Sequence, residues 1–296
     1  MELKGKVALV TGANGFVGSF IVRRLVEEGL RVRALVRRPE ADAEVRALGA
    51  EPVRGDPADA RSAREAAVGA QVVVHCAATG SDDMAEAMRV NAEGTEAMLE
   101  AARAAGCERF VHISTVAVYD MARVDTIDEG APLVKEGRAY SVSKAEGDRR
   151  VLAAIGRGLP AVILRPPCIL GVHPTSTWGN KVPRAIVAGQ FALPMGGEGH
   201  LFYVHVRNLA EAVVQCLRSE AAVGQVFDIA DGETTWGRYA AHFRSEPLPA
   251  VPESQVPSFL SFRGHFPAEK IRRVLGYTPR YSFEEVMRET QQALGS

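Results

Sequence analysis

Cysteine is scarce and scattered. The 296-residue chain carries four cysteines. Cys76, Cys107, Cys168 and Cys216 stand far apart, with no Cys-x-x-Cys among them. That spacing excludes a disulfide framework and a zinc-ligand pattern, so free thiols in a reducing, cytoplasmic compartment are expected and no metal site is. Long apolar runs are also missing, and nothing approaches the roughly 20 residues of a membrane helix. The opening Met-Glu-Leu-Lys-Gly-Lys-Val-Ala-Leu-Val is too short an apolar run for a secretory signal and leads straight into a glycine motif. No sign of charge dominates: 35 Lys and Arg face 36 Asp and Glu, for a formal net charge of −1. Neither nucleic acid nor an acidic membrane is therefore expected as a partner. No internal repeat or low-complexity tract is visible. What is present is an ordinary apolar share of 47%, enough for a large core.

The first half alternates strand-like and helix-like segments. Lys6–Val10 is apolar and runs into glycines. Phe16–Glu28 carries Phe16, Val17, Phe20, Ile21 and Leu25 at helical spacing. Arg31–Val36 reads as a strand, Glu51–Val53 as a weak one and Gln71–Cys76 as a near-continuous apolar one. Asp82–Ala105 reads as one long helix, Arg109–Ser114 as a strand, Tyr140–Ile155 as a helix and Ala161–Leu164 as a strand. Apolar strands joined by helices predict an α/β fold, a doubly wound parallel sheet of the Rossmann type covered on both faces. After Arg165 prolines punctuate an irregular, glycine-rich stretch. Helix returns at Arg207–Leu217, strand at Gln225–Ile229, loops around Pro247–Pro257, and helix again at Ala268–Leu275 and Phe283–Leu294. The predicted organisation is a dinucleotide-binding domain over 1–165, with returning elements at about 204–230. A smaller C-terminal substrate-binding lobe is built from 166–203 and 231–296.

Residues 11–18 read Thr-Gly-Ala-Asn-Gly-Phe-Val-Gly, between the first strand and the first helix. Glycine serves three purposes in such a loop: a tight turn, close backbone approach to a pyrophosphate, and close packing of helix on sheet. Gly12, Gly15 and Gly18 occupy those places. Asn14, Phe16 and Val17 complete the loop, where free N–H groups and the positive helix end favour phosphate. At the end of the second strand, where NAD-binding chains usually place an acid for the ribose, this chain has Val36-Arg37-Arg38-Pro39. Arg37 and Arg38 suit a 2′-phosphate, which favours NADP(H) over NAD(H); the plainer reading is two solvated loop charges. Asp56 and Pro57 follow the third strand, where Asp56 either accepts from an adenine amino group or caps the next helix.

Tyr140-Ser-Val-Ser-Lys144 places two side chains on one helical face. A free tyrosine, with a pKa of about 10, is a poor acid–base group at neutral pH. A nearby ammonium is expected to lower that value, so that Tyr140 exchanges a proton with a substrate oxygen while Lys144 tunes it. The fifth strand ends at Ser114-Thr115, and ligands gather outside such carboxyl ends. Either hydroxyl can bond the substrate oxygen. His112 and His205 read as satisfied core histidines. Trp178, Phe191, Phe202 and Phe259 either line a substrate pocket or pack the core.

An ordered set of further segments accompanies these: Gly55-Asp56, His75-Cys76-Ala77-Ala78, Val90-Asn91-Ala92-Glu93-Gly94-Thr95, Ser114–Tyr119, Leu164-Arg165-Pro166-Pro167 and Tyr203-Val204-His205-Val206. With Thr11–Gly18 and Tyr140–Lys144, they make essentially the whole chain resemble the extended short-chain dehydrogenase/reductases. That group includes sugar epimerases, dihydroflavonol-reductase-like enzymes and hydroxysteroid dehydrogenases. The resemblance implies that Gly12, Gly15 and Gly18 bind pyrophosphate and that Ala77 and Ala78 line the adenosine and ribose. It makes Tyr140 the acid/base, Lys144 its partner and Thr115 the catalytic hydroxyl in preference to Ser114. Pro166 and Ile169 would border the nicotinamide. Asn91 matches a position near the cofactor, a capping or loop role being the alternative. Homodimerisation through the Asp82–Ala105 and Tyr140–Ile155 helices is implied as well. Val116-Ala117 stand where sugar-nucleotide dehydratases carry Asp-Glu, and Tyr119-Asp120 where many epimerases have Tyr-Gly. The expectation is therefore an NADP(H)-dependent oxidoreductase for a small carbonyl/alcohol pair, with an NAD-dependent sugar-nucleotide epimerase as the alternative.

Overall fold

The computed structural model describes residues 1–256 and 258–295; Pro257, Ser296 and the side chains of Ser258 and Phe259, including the predicted pocket residue, lie outside the described residues. Val7–Thr11 (β1) is buried at every position, the signature of a strand covered on both faces. Arg31–Val36 (β2), the half-exposed Glu51–Arg54 (β3), Val72–His75 (β4), Arg109–Ile113 (β5) and Ala161–Arg165 (β6) follow. Cys168–Leu170 (β7), Leu193–Pro194 (β8), His200–His205 (β9), Val226–Asp228 (β10), Gly232–Thr235 (β11) and Ala250–Val251 (β12) complete the strands. The main sheet is parallel, ordered β3-β2-β1-β4-β5-β6-β10. The chain winds outward from β1 in one direction and then from β4 in the other. The β1/β4 crevice is thus the switch point where ligands bind.

Strand residues alternate between two cores. Ala8, Val10, Val74 and Val111 meet Ile21, Val22 and Leu25 of the Phe16–Glu27 helix and Leu209, Val213 and Leu217 of the Val206–Arg218 helix. Leu9, Val73, Phe110 and Ile163 meet Ala63 and Ala67, Met98 and Ala102, and Val151 and Ala154 on the other face. Of two outer-layer helices, Ala41–Ala47 was not among the predicted elements and Ala60–Ala67 was expected only as a helix somewhere after Pro57. Each is about two turns of alanine and charge, and their buried side are Ala41 and Val45 or three alanines, too few apolar residues to print a helical period.

The predicted 82–105 helix begins at Met84 and is not uniform. Met84–Ala87 and Gly94–Ala104 are α-helical, while Met88–Glu93 between them is a π turn. The stretch after Arg165, expected to be irregular, contains strands. β7, β9 and β11 form a three-stranded sheet, and β8 pairs with β12. These strands are two to six residues long, short enough for the intervening prolines and glycines to mask them. The C-terminal Phe283–Leu294 helix starts where expected, fixed by a Ser282/Glu285 capping box. No described helix is long and apolar enough to cross a membrane.

Candidate active site

The carboxyl ends of β1 and β4 are tied together by one hydroxyl. Thr11 Oγ1 accepts from the Cys76 and Ala77 N–H groups at 3.2 and 3.1 Å and lies 2.8 Å from His75 Nδ1. Directly above runs the glycine loop. Gly12 has φ +64°, and a Cβ there would stand 2.9 Å from Ala77 N; a Cβ on Gly18 would stand 2.1 Å from Gly12 O. Gly15 N–H donates to Gly12 O at 3.0 Å and closes the turn. No side chain caps the Phe16–Glu27 helix that Gly15 opens, so its first N–H groups face the crevice undiverted. Asn14, Phe16 and Val17 are half-buried on the rim, as is Ala77, while Ala78 is exposed. A loop whose Gly12 and Gly18 leave no room for a side chain, ending on an uncapped helix start, fits a dinucleotide pyrophosphate.

Arg37 and Arg38 are exposed beyond β2, and their side chains have no partner among the described residues. The carboxylate of Asp42 is taken by Arg54 at 2.6 Å, so it is not the missing ribose acid. Asp56 does not cap the following helix. Its Oδ1 accepts from Ala58 N at 2.9 Å, its Oδ2 lies 3.6 Å from Arg89, and the helix is capped by Asp59 through Ser62 N. Pro57 is buried beside it.

The Ala139–Gly156 helix delivers Tyr140 and Lys144 to the ends of β5 and β6. Tyr140 and Thr115 both line a cavity of about 400 Å³. Pro166 and Ile169 line it too, as does Ser114. Burial raises the Tyr140 phenol above its ordinary value; the Thr115 hydroxyl works against this and the Asp148 carboxylate adds to it. The expected lowering by Lys144 is not present. Lys144 is buried and donates to Ile113 O at 2.8 Å, directed into the strand end. Burial brings its own value down to about 8, against the attraction of Asp148.

Beneath this pair lies a buried polar layer. Asp148 Oδ2 accepts from Arg165 Nε at 2.8 Å and its Oδ1 lies 3.4 Å from His112 Nε2. Burial favours its protonation, but His112, Arg165 and Ser114 outweigh that and set Asp148 at about 2. His112 is thus a core histidine but a poorly satisfied one, its Nδ1 having no partner among the described residues. His205 caps its helix by accepting from Arg207 N at 3.0 Å, leaving Nε2 without a partner among the described residues. Asn91 sits in the π turn. Its side chain holds Thr79 by both backbone groups and donates to Ser143 at 3.0 Å. It braces the loop after β4 against the Tyr140 helix, the loop role that was the alternative for it.

The cavity walls come from far along the chain: Met121 and Ile127, Trp178, Phe202, Trp236, Phe262 and Phe266. Of the predicted aromatics, Trp178 and Phe202 line it, whereas Phe191 packs behind on Trp236 at 6.2 Å. Trp236, Phe262, Phe266, Arg138 and His200 were not singled out from sequence. Each is isolated in a segment without period, and only the fold gathers them.

A glycine cradle at the switch point and a Tyr–Lys helix facing it define a dinucleotide-dependent enzyme. Residues 8–230 match the model of the NAD dependent epimerase/dehydratase family, and the chain belongs to that family, within the extended short-chain dehydrogenase/reductases. A 4-hydroxy-2-methyl-3-oxo-4-farnesyl-3,4-dihydroquinoline-1-oxide ketoreductase from Stigmatella aurantiaca is 37% identical over 75% of this chain and 67% of its own. A ceramide reductase from Caulobacter vibrioides is 34% identical over 81% and 71%. Among solved structures, a short-chain dehydrogenase/reductase superfamily protein from Agrobacterium tumefaciens with bound NAD superposes with a TM-score of 0.78 at 24% identity. It covers 98% of this chain and 97% of that one, a likeness of fold.

Proposed function

We propose that the protein is an NADP(H)-dependent oxidoreductase that interconverts an apolar carbonyl compound and its alcohol. The observation that carries this is the meeting of Tyr140 and Thr115 on the wall of a largely aromatic cavity that also reaches Phe16 of the glycine loop. A bound nicotinamide dinucleotide supplies or accepts the hydride. Thr115 orients the substrate oxygen by hydrogen bond, and Tyr140, kept protonated by burial, donates its proton to that oxygen in reduction and takes one back in oxidation. Lys144 holds the strand end through Ile113 O, and its ammonium is the group we assign to a cofactor ribose hydroxyl. Gly12, Gly15 and Gly18 accommodate the pyrophosphate, and Arg37 with Arg38 meets a 2′-phosphate without an opposing carboxylate.

The aromatic lining supports a reductase over a sugar-nucleotide epimerase. Among the described lining residues only Arg138 and His200 can carry positive charge, a poor complement for a nucleoside diphosphate. The names of the two relatives point the same way. Exposed Met84 and Leu152 sit on the two helices expected at a homodimer interface in the cytoplasm, which sedimentation velocity checks.

The test is a paired titration. Purified protein should bind NADPH at least tenfold more tightly than NADH. Arg37→Ala should remove most of that preference, as expected for a lost charge-assisted bond of about 1.5 kcal/mol or more. Tyr140→Phe should bind NADPH like wild type but reduce aryl or long-chain ketones at least a hundredfold more slowly. Tight, non-exchanging NAD(H), or Tyr140→Phe with near-full activity, would overturn the reading.

A further inference from the structure

The segment between β7 and the Thr177–Lys181 turn lies directly on the glycine loop. A Cβ on Gly171 would stand 2.5 Å from Val206 and 3.1 Å from the Phe16 ring; one on Gly179 would stand 1.8 Å from Gly171 O. The segment is therefore packed tightly at both ends. Between them, the His173 ring stacks on the Phe16 ring, centroids 5.9 Å apart and planes 30° apart. Phe16 is the first residue of the uncapped helix that faces the crevice.

His173 is held in one tautomer. The Thr175 backbone N–H, which can only donate, reaches His173 Nδ1 at 3.2 Å, and the Thr175 hydroxyl lies 2.9 Å from the same nitrogen. Nδ1 is the acceptor, so the neutral ring carries its proton on Nε2. That N–H has no partner among the described residues. The segment thus runs from the reaction cavity, which Ile169 and Thr175 line, across the glycine loop at Phe16.

We propose that His173 is a cofactor-binding residue whose Nε2–H donates to a pyrophosphate oxygen of the dinucleotide, with the 171–176 strap held over that group by the ring stack on Phe16. The inference rests on the dinucleotide crevice and not on which carbonyl compound is reduced. It adds a side-chain donor to a loop that otherwise offers backbone N–H groups.

The experiment measures binding without turnover. Full-length wild type, His173→Phe and His173→Ala are titrated with NADPH, with ADP-ribose and with AMP. ADP-ribose keeps the pyrophosphate and lacks both nicotinamide and 2′-phosphate, so the result is independent of the NADP preference. His173→Phe retains an aromatic ring against Phe16 and removes only the donor, and melting curves confirm that both variants fold. The expected result is about tenfold weaker NADPH and ADP-ribose binding in His173→Phe with AMP binding unchanged, the scale of one hydrogen bond to a charged acceptor. His173→Ala should lose at least as much and release NADPH faster in stopped flow. Wild-type affinity of His173→Phe for ADP-ribose overturns the proposal, and so does an equal loss for AMP.

Discussion

At the scale of single residues, the site turns on two groups that burial moves in opposite directions of charge but towards the same end. Tyr140 is raised, chiefly by desolvation, so it enters the reaction as a neutral donor. Lys144 is brought down to about 8, again by desolvation first, so its ammonium is lost just above neutral pH. The Asp148 carboxylate raises both groups: it favours Lys144 as a cation and disfavours Tyr140 as an anion. Ketone reduction, which needs the protonated phenol, should therefore be level from about pH 6 to 7.5 and decline above about 8 as Lys144 loses its charge. Alcohol oxidation, which needs the phenolate, should rise over the same range. Lys144→Met should be at least tenfold slower and show no break near pH 8. A break that persists in this variant would assign it to another group.

At the scale of elements, a crossing of two helices positions the site. Gly147, one turn beyond Ser143 on the Tyr140 helix, approaches the π turn so closely that a Cβ would stand 2.7 Å from Asn91 O and 3.4 Å from Thr95 Oγ1. The Thr95 hydroxyl donates to that same Asn91 carbonyl at 2.7 Å. Widening the helix over Met88–Glu93 lets the Asn91 side chain reach the Thr79 loop and Ser143 together, the kind of local distortion found at functional sites. Gly147→Ala must push the helices apart. A loss of about 1–3 kcal/mol in stability is expected from overpacking, with a fall in ketone reduction from displacement of Tyr140, read by melting and by kcat/KM. Wild-type stability in this variant would mean that the crossing yields. None of this geometry was legible in sequence, because the Asp82–Ala105 segment has one continuous helical composition and a π turn leaves the apolar pattern nearly intact. The glycine loop, β1, β4, β5 and the Tyr140–Lys144 spacing were legible, because each is local and its physics is written in neighbouring residues. The cavity walls at Trp236, Phe262 and Phe266 and the pairing of β7, β9 and β11 are contacts between distant segments without a repeating period, so no local pattern announces them.

At the scale of the whole molecule, the cluster below the site joins the two halves of the chain through buried charge. Arg165 at the end of β6 bonds Asp148 and donates to Tyr119 OH at 2.8 Å, and Tyr119 donates to Asp228 at 2.7 Å, on the last strand of the main sheet. The far oxygen of Asp228 is buried without a partner among the described residues. Burial raises Asp228 to about 8; the Tyr119 bond opposes this and nearby Glu129 adds to it. In the unfolded chain the same carboxyl ionises near the ordinary aspartate value of about 3.9. Its folded value is the higher one, so its contribution to stability is fully present below about pH 4. It is lost progressively as pH rises towards about 8. Asp228→Asn keeps the acceptor for Tyr119 and cannot ionise. It should melt with wild type at pH 4 and several degrees above it at pH 7.5, a gain of about 2 kcal/mol or more. Were the two proteins to differ equally at both pH values, the gain would come from packing, and Asp228 would be ionised in the fold with Arg165 as its counter-charge.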